Sequence, residues 1–157
     1  MQTLTKATNA TIDELQSLVE AASTPRERAS RRFIVDAFRG KMSSLIPFAL
    51  ENESVVNIAS YLLKYTKSKS KATLYQYVFG VSRFCRWIKK TPDAIVREVL
   101  FKEKAIDEYV KAIDSFVGDL QAEGLVPGTI NNHVKDVKTL FRVNGLVLPL
   151  RLGLPFR

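Results

Sequence analysis

Two segments of this 157-residue sequence each place a row of hydrogen-bonding side chains on one face of a helix. Between Gly124 and Gly145, apolar residues recur every three or four positions. The opposite face carries Thr129, Asn131, Asn132, Lys135, Lys138 and Arg142, together with one acid, Asp136. Asparagine can pair bidentately with adenine, and lysine with guanine or phosphate. Solubility alone would also explain such a face, so an interpretation of it as a surface for a negatively charged partner needs support from the rest of the chain.

The second segment, residues 69–90, has the same character. Its polar side chains are Lys69, Lys71, Thr73, Gln76, Arg83, Arg86 and Lys90. Thr73 and Thr129 occupy matching places in the first helical turn, where free N–H groups and the helix dipole attract anions. From Lys64 to Lys90 there are eight basic residues and no acid, whereas a solvated face normally mixes both signs. The run therefore favours contacts to phosphates along this helix.

Charge is distributed unevenly along the whole chain. The 24 Lys and Arg residues outnumber 16 acids, and the net charge of +8 favours a polyanionic partner such as nucleic acid or an anionic membrane surface. Residues 91–125, however, contain eight acids and only four bases, so an acidic helix separates the two basic ones. This alternation predicts a folded domain with one positive and one negative side.

The cysteine and histidine counts exclude several kinds of site. With one Cys and one His, neither a disulfide scaffold nor a structural zinc site is expected, and we predict no cofactor. No apolar run approaches the roughly 18 residues of a membrane span, and the N-terminus lacks the apolar core of a signal peptide. We therefore expect a soluble, cytoplasmic, nucleoid-associated protein with neither a membrane partner nor a small-molecule substrate.

The elements that position these side chains are predicted to be helices throughout, because no segment of useful length alternates as a strand does. Capping signals predict helices that start after Thr11, Thr24 and Ser70, and Pro47 is expected to interrupt the chain. Further helices are predicted over residues 54–65, 92–100, 104–123 and 127–142. The fold class is therefore predicted to be all-α.

Four more residues of the two basic segments have both a structural and a functional interpretation. Phe79 lies among polar residues, where packing against a neighbouring helix is favoured over a ligand contact. His133, the only histidine, lies near the edge of the apolar face, and packing is again favoured. Trp87 and Cys85 are most simply core residues.

A more specific pattern joins the two segments. In SKATLYQYVFGVSRFCRWI, a Ser-x-x-Thr element precedes Tyr, an aliphatic residue, Phe and Trp at helical spacing, namely Ser70, Thr73, Tyr77, Val81, Phe84 and Trp87. In FVGDLQAEGLVPGTINNHVKDVKTLFRV, a helix ends in Gly and restarts with Pro-x-Thr-Ile, namely Gly124, Pro127, Thr129 and Ile130, with Leu140 and Phe141 further on. These two stretches, in this order, resemble the core-binding domain of the tyrosine recombinases, the phage-integrase family. The resemblance covers about residues 54–148.

The resemblance implies a SAM-like bundle of four to five helices over about residues 51–148, which grips one side of double-stranded DNA. The helices that start at Ser70 and near Pro127 would cross the major groove, and these are the two that the charge pattern selects. Residues 1–50 are expected to form a helical extension that serves as an arm or an oligomerisation segment, with a homo-oligomer on DNA as a candidate assembly. Residues 149–157 are expected to be a linker or tail.

The chain departs from the family pattern in two respects. The family often has a Ser cap before the second Pro, where this chain has Val126, and the loss weakens the cap by roughly 1 kcal/mol. The catalytic set that the resemblance would require, two Arg, a Lys, a His-x-x-Arg element and a nucleophilic Tyr, is missing. No catalytic residue is therefore assigned. Because the sequence ends near where a domain linker would run, we expect a recombinase fragment that does not cleave DNA alone.

Two other classes of protein fit parts of the sequence. A stand-alone helical DNA-binding regulator or nucleoid-associated protein would explain both basic faces without any catalytic domain. A protein-interaction module whose acidic helix, residues 104–123, docks a basic partner would explain that helix alone.

Overall fold

The computed structural model describes residues 16–17, 19–20, 22, 24–65 and 70–149, and the regular structure within them is entirely helical. Seven helices have their bounds there: α1 Pro25–Phe38, α2 Leu45–Glu51, α3 Glu53–Tyr65, α4 Lys71–Ile88, α5 Pro92–Phe101, α6 Ala105–Ala122 and α7 Pro127–Val143. The predicted all-α class is confirmed. The predicted helix start at Thr11, the connector residues 66–69 and the tail after residue 149 lie outside the described residues.

Polar caps define where several helices begin. The hydroxyls of Thr24, Ser70 and Thr91 each accept the N–H of the residue three positions on, at 3.1, 3.2 and 3.1 Å. Helix α7 begins after Val126 without a side-chain cap, as the departure from the family pattern predicts. The expectation that Pro47 interrupts the chain is wrong. It lies at the third position of α2, in the first turn. Backbone N–H groups in a first turn have no partner within the helix, so the N–H that proline lacks costs no hydrogen bond there.

One hydrophobic core joins all seven helices. Its largest fully buried side chains include Phe38 of α1, Phe84 of α4, Phe116 of α6 and Phe141 of α7. Helix α1 packs against α3 and α4, so the described part of the predicted N-terminal extension contributes to this same core. A domain boundary near residue 50 stays a prediction, and it does not coincide with a break in the packing.

Helix α7 is central to this arrangement, because it contacts α4 most extensively and also packs on α3 and α6. Its C-terminal end is tied to α3 through the side chain of Asn144. The Asn144 amide nitrogen donates to the Ser54 carbonyl at 3.0 Å and to the Leu140 carbonyl at 2.7 Å. Its amide oxygen accepts from the Asn57 amide at 2.8 Å. The position of α7 relative to α3 is therefore fixed by directional bonds as well as by apolar contacts.

Helices α4 and α7 come very close together at Gly80. A Cβ atom built on Gly80 would lie 2.6 Å from the Cβ of Asp136, a distance at which real side chains clash. Asp136 is 0% exposed, so its predicted place on the polar outer face of α7 is wrong. The cause is that α4 packs against the flank of α7 beside its apolar stripe, and only the missing side chain at Gly80 leaves room for the carboxyl group.

Candidate nucleic-acid interface

The basic side chains of α7 meet in a cleft of about 410 Å³ between α7, α4 and the segment that follows α7. Its lining consists of Tyr77, Lys135, Lys138, Thr139, Arg142, Leu146, Val147 and Leu148. We call this the α7 cleft. Lys135 and Arg142 are exposed and Lys138 is half-buried. None of the described residues that line it is acidic, so the cleft concentrates positive charge.

Local backbone geometry builds the walls of the α7 cleft. Gly145 adopts a φ of +79°, a left-handed conformation that glycine takes without strain, and the chain turns there. The N–H of Leu146 then donates to the Phe141 carbonyl at 2.9 Å, and Leu148 is buried. The segment thus returns to the protein and forms an apolar wall. The Arg142 guanidinium lies 5.2 Å from the centre of the Tyr61 ring, an arrangement that orients the cation.

Sequence reasoning missed five of the eight residues that line this cleft. The helical spacing of apolar residues in α4 predicts a core position for Tyr77, but its ring is half-buried and lines the cleft. Thr139 was not considered, and its hydroxyl donates to the Lys135 carbonyl at 2.9 Å. A signal for Tyr77 was its phenol, since a polar tip at a core position usually reaches a surface or a partner. The apolar wall had no signal, because it depends on the turn at Gly145.

The remaining predicted residues of α7 lie nearer its start. Asn131 and Asn132 are exposed, and Thr129 is half-buried with its N–H donating to the Val126 carbonyl at 3.1 Å. None of the three lines the α7 cleft. Asn131 shares its face with Lys135, because residues four apart are neighbours on a helix. The polar face of α7 is therefore continuous from Asn131 to the cleft.

The second half of α4 faces the acidic helix α6. Arg83 forms an ion pair of 2.9 Å with Glu123 at the end of α6. A second cleft, of about 420 Å³, opens between the two helices, and we call it the α4–α6 cleft. Its lining consists of Phe79, Arg83, Arg86, Trp87, Phe116, Leu120 and Glu123. Arg86 is exposed, and among the described residues no carboxylate lies within 4.0 Å of it.

Lys90, another predicted contact, is engaged with groups from α5 and α6. Its ammonium donates to Glu98 at 3.0 Å and to the Tyr109 hydroxyl at 3.2 Å, while that hydroxyl donates to Glu98 at 2.7 Å. The bond to Glu98 raises the pKa of Lys90, and the bond from Tyr109 lowers the pKa of Glu98. Lys90 is therefore positioned to hold α5 and α6 against the end of α4.

The first two turns of α4 hold three more predicted residues. Lys71 and Gln76 are exposed, and Thr73 is half-buried with its N–H bonded to the Ser70 hydroxyl. Lys69 lies outside the described residues. Apart from Lys90, the described predicted residues thus divide between the start of α4, the polar face of α7 and the α4–α6 cleft. They do not all converge on one cleft.

Two ionisable side chains, His133 and Asp136, are buried together at the α4–α7 contact. His133 and Asp136 are buried, with 3.8 Å between His133 Nδ1 and Asp136 Oδ2, which is an ion-pair distance but too long for a hydrogen bond. Burial raises the pKa of Asp136, and electrostatic attraction from His133 and Lys135 opposes this only in part. The His133 ring packs 5.9 Å from that of Phe79, so the packing interpretation is confirmed for both residues.

Cys85 and Trp87 also have structural surroundings. Cys85 is buried, and burial raises the pKa of its thiol to about 12, which keeps it protonated at neutral pH. Trp87 is half-buried, with its ring centre 5.4 Å from that of Phe116. The core interpretation holds for Cys85, whereas Trp87 also lines the α4–α6 cleft.

Comparisons of the chain with protein-family models, with curated proteins and with solved structures find no significant match. None of the helices in the described part of the chain has the length and apolar character needed to cross a membrane. Nor do three or more His, Cys, Asp or Glu side chains converge as metal ligands within those residues. The described residues form a helical bundle with two clefts, each of which has basic residues in its lining.

Proposed function

We propose that this chain binds double-stranded DNA through the polar face of α7 and the start of α4, as the DNA-binding domain of a tyrosine recombinase. The observation that supports this best is the α7 cleft, in which Lys135, Lys138 and Arg142 gather beside Tyr77 without an acidic neighbour in its described lining. Three cations in such a setting suit the phosphates of a duplex, because neutralising phosphates releases condensed counterions.

The dimensions of the α7 face suit a DNA groove. From Asn131 to Arg142 the helix advances about 16 Å at its rise per residue. The major groove is about 12 Å wide, so a helix of this length can lie in it and reach phosphates on both sides. The cations at the C-terminal half would contact backbone, while Asn131 and Asn132 would be free to approach base edges.

The recombinase part of the proposal rests on the resemblance described above, and local geometry supports it. Ser70 caps α4 as the Ser-x-x-Thr element requires. Gly124 has a φ of +86°, which ends α6, and Pro127 restarts the chain as the first residue of α7. Both stretches that carry the resemblance thus have the helix starts and breaks that their sequences predict, and this supports the proposal.

The test is a variant that removes the three cations of the α7 cleft, Lys135→Ala, Lys138→Ala and Arg142→Ala. Binding to a short duplex is measured by fluorescence anisotropy over a range of salt concentrations. If the three side chains each contact one phosphate, the slope of log K against log salt becomes shallower by about 3. Affinity at low salt falls for every duplex sequence, because phosphate contacts carry no sequence information.

A charge-matched control removes three exposed cations from the acidic side, Arg97→Ala, Lys104→Ala and Lys111→Ala. Lys104 precedes α6 but makes no side-chain cap, so its loss costs the helix little. The control has the same net charge as the test variant and is expected to keep nearly all of the wild-type affinity. Equal losses in both variants would contradict the proposal, since they would indicate a nonspecific effect of net charge.

A further inference from the structure

The α4–α6 cleft has an aromatic floor that remains open. Trp87 and Phe116 form this floor, and Leu120 lies beside them. One face of the Trp87 ring stacks on Phe84, with ring centres 6.0 Å apart, so a ligand can stack only on the opposite face. The Trp87 indole N–H donates to the Asp119 carboxylate at 2.7 Å, so the ring plane is fixed by a bond at the edge. A half-buried indole held in one orientation offers a flat apolar surface, on which another flat ring can stack.

The rim of this cleft carries paired charges. The Arg83 guanidinium and the Glu123 carboxylate lie 2.9 Å apart, with 31% and 55% of their side chains exposed. Together they present hydrogen-bond donors and an acceptor side by side. The edges of cytosine and guanine combine an amino donor with a carbonyl acceptor, and carboxylates and guanidinium groups are their usual partners. A carboxylate has no donor to offer Glu123, whereas the amino group of a base has one, and this favours a base over an acidic side chain at the rim.

The third feature of the α4–α6 cleft is the cation Arg86. It is exposed, lines the same cleft and has no carboxylate within 4.0 Å among the described residues. An unpaired guanidinium suits a phosphate group, which it can bind through two parallel hydrogen bonds. The cleft volume of about 420 Å³ lies within the range of small-ligand pockets.

We propose that the α4–α6 cleft accepts one unpaired nucleotide of DNA. Its base stacks on Trp87, its polar edge meets Arg83 and Glu123, and its phosphate binds Arg86. The nucleotide must be unpaired, because a base inside a duplex has both faces covered and its pairing edge occupied. This inference rests on the proposed function, since the nucleotide belongs to DNA that the α7 face holds, and it adds recognition of a single-stranded junction to duplex binding.

Trp87 is the only tryptophan of the chain, so its fluorescence reports directly on this cleft. The full chain is titrated with a blunt duplex and with the same duplex carrying a short single-stranded end. We expect the single-stranded end to quench Trp87 and to tighten binding about tenfold, in keeping with the effect of stacking one base on an aromatic ring. The blunt duplex is expected to bind with little change in fluorescence.

The variant Arg86→Ala is expected to lose the preference for the single-stranded end and most of the quenching. Arg97→Ala, an exposed arginine of α5, is the matched control and should keep both. Duplex binding with equal Trp87 fluorescence for the two DNAs would overturn the inference and leave the proposed function standing. Quenching by the single-stranded end without any duplex binding would support the cleft and contradict the proposed function. Quenching by an acidic aromatic peptide but by neither DNA would overturn the inference in favour of a peptide site.

Discussion

Gly80 shows how much a single residue determines in this fold. It is buried in the middle of α4. Glycine inside a helix usually costs about 1 kcal/mol of stability relative to alanine. The missing side chain lets α4 and α7 approach closely, with Asp136 buried against Gly80. The residue therefore sets the separation of the two helices that carry the proposed DNA contacts.

Replacing Gly80 by alanine is expected to lower the free energy of unfolding by about 1–3 kcal/mol, the usual cost of overpacking a tight contact. The new Cβ would lie 2.6 Å from that of Asp136, so α4 and α7 must move apart. Urea denaturation followed by circular dichroism measures the change.

Gly118→Ala is the matched control for this change. Gly118 lies inside α6, and nothing stands within 4 Å of a Cβ built there. This variant should raise the free energy of unfolding by about 0.5–1 kcal/mol, because alanine favours the helix. If Gly80→Ala were stabilising to the same extent, the close contact with Asp136 would be refuted.

At the scale of the helices, capping distinguishes the two proposed DNA-facing elements. Ser70 caps α4 through its hydroxyl, whereas α7 starts at Val126 with no side-chain bond. The backbone at both positions is extended, with φ and ψ of −74° and 118° at Ser70 and −71° and 151° at Val126. Val126 is 63% exposed, so a polar side chain there would lose no buried contact.

Changing Val126 to serine is expected to raise the free energy of unfolding by about 0.5–1 kcal/mol, because the new hydroxyl can accept an N–H of the first turn, as the Ser70 hydroxyl does in α4. Ser70→Ala is the reciprocal change and should lower it by about 1 kcal/mol. Thermal melts of the two variants and the wild type provide the comparison. A Val126→Ser protein no more stable than the wild type would show that this N–H is already satisfied.

Local signals made the helices predictable, but contacts between distant helices were not. Ser70 and Gly124 mark their boundaries through short-range chemistry that is readable in sequence. The polar face of α7 was predicted without the burial of Asp136, since that burial depends on Gly80, 56 positions earlier. The acid-free run of Lys and Arg residues likewise predicts phosphate contacts along α4, whereas Arg83 and Lys90 are engaged by acids from other helices.

At the scale of the molecule, α1 and α7 belong to one core although they lie at opposite ends of the described chain. Phe38 of α1 is fully buried, with its ring 5.3 Å from that of Tyr75 in α4. A chain with a single core is expected to unfold in one cooperative transition. Residues before position 50 therefore bear on the stability of the proposed DNA-binding surface.

Phe38→Ala is expected to lower the free energy of unfolding by about 3–5 kcal/mol. Trp87 fluorescence and circular dichroism should report the same lowered midpoint of unfolding, even though Trp87 lies between α4 and α6 and not beside α1. Phe101→Ala is the matched control, because Phe101 is 82% exposed and its loss removes little packing. Two separate transitions in the Phe38 variant would instead indicate that α1 belongs to an independent unit.

The Asn144 side chain, which ties the end of α7 to α3, has a consequence for the order in which this protein can fold during synthesis. The ribosome releases α3 long before it releases Asn144, so the Ser54 carbonyl and the Asn57 amide cannot form their hydrogen bonds to Asn144 until then. The same delay applies to the apolar surfaces of α3, α4 and α6 that α7 covers. The nascent chain must therefore keep much of its core exposed until the last described helix emerges, and it depends most on protection from aggregation at that stage.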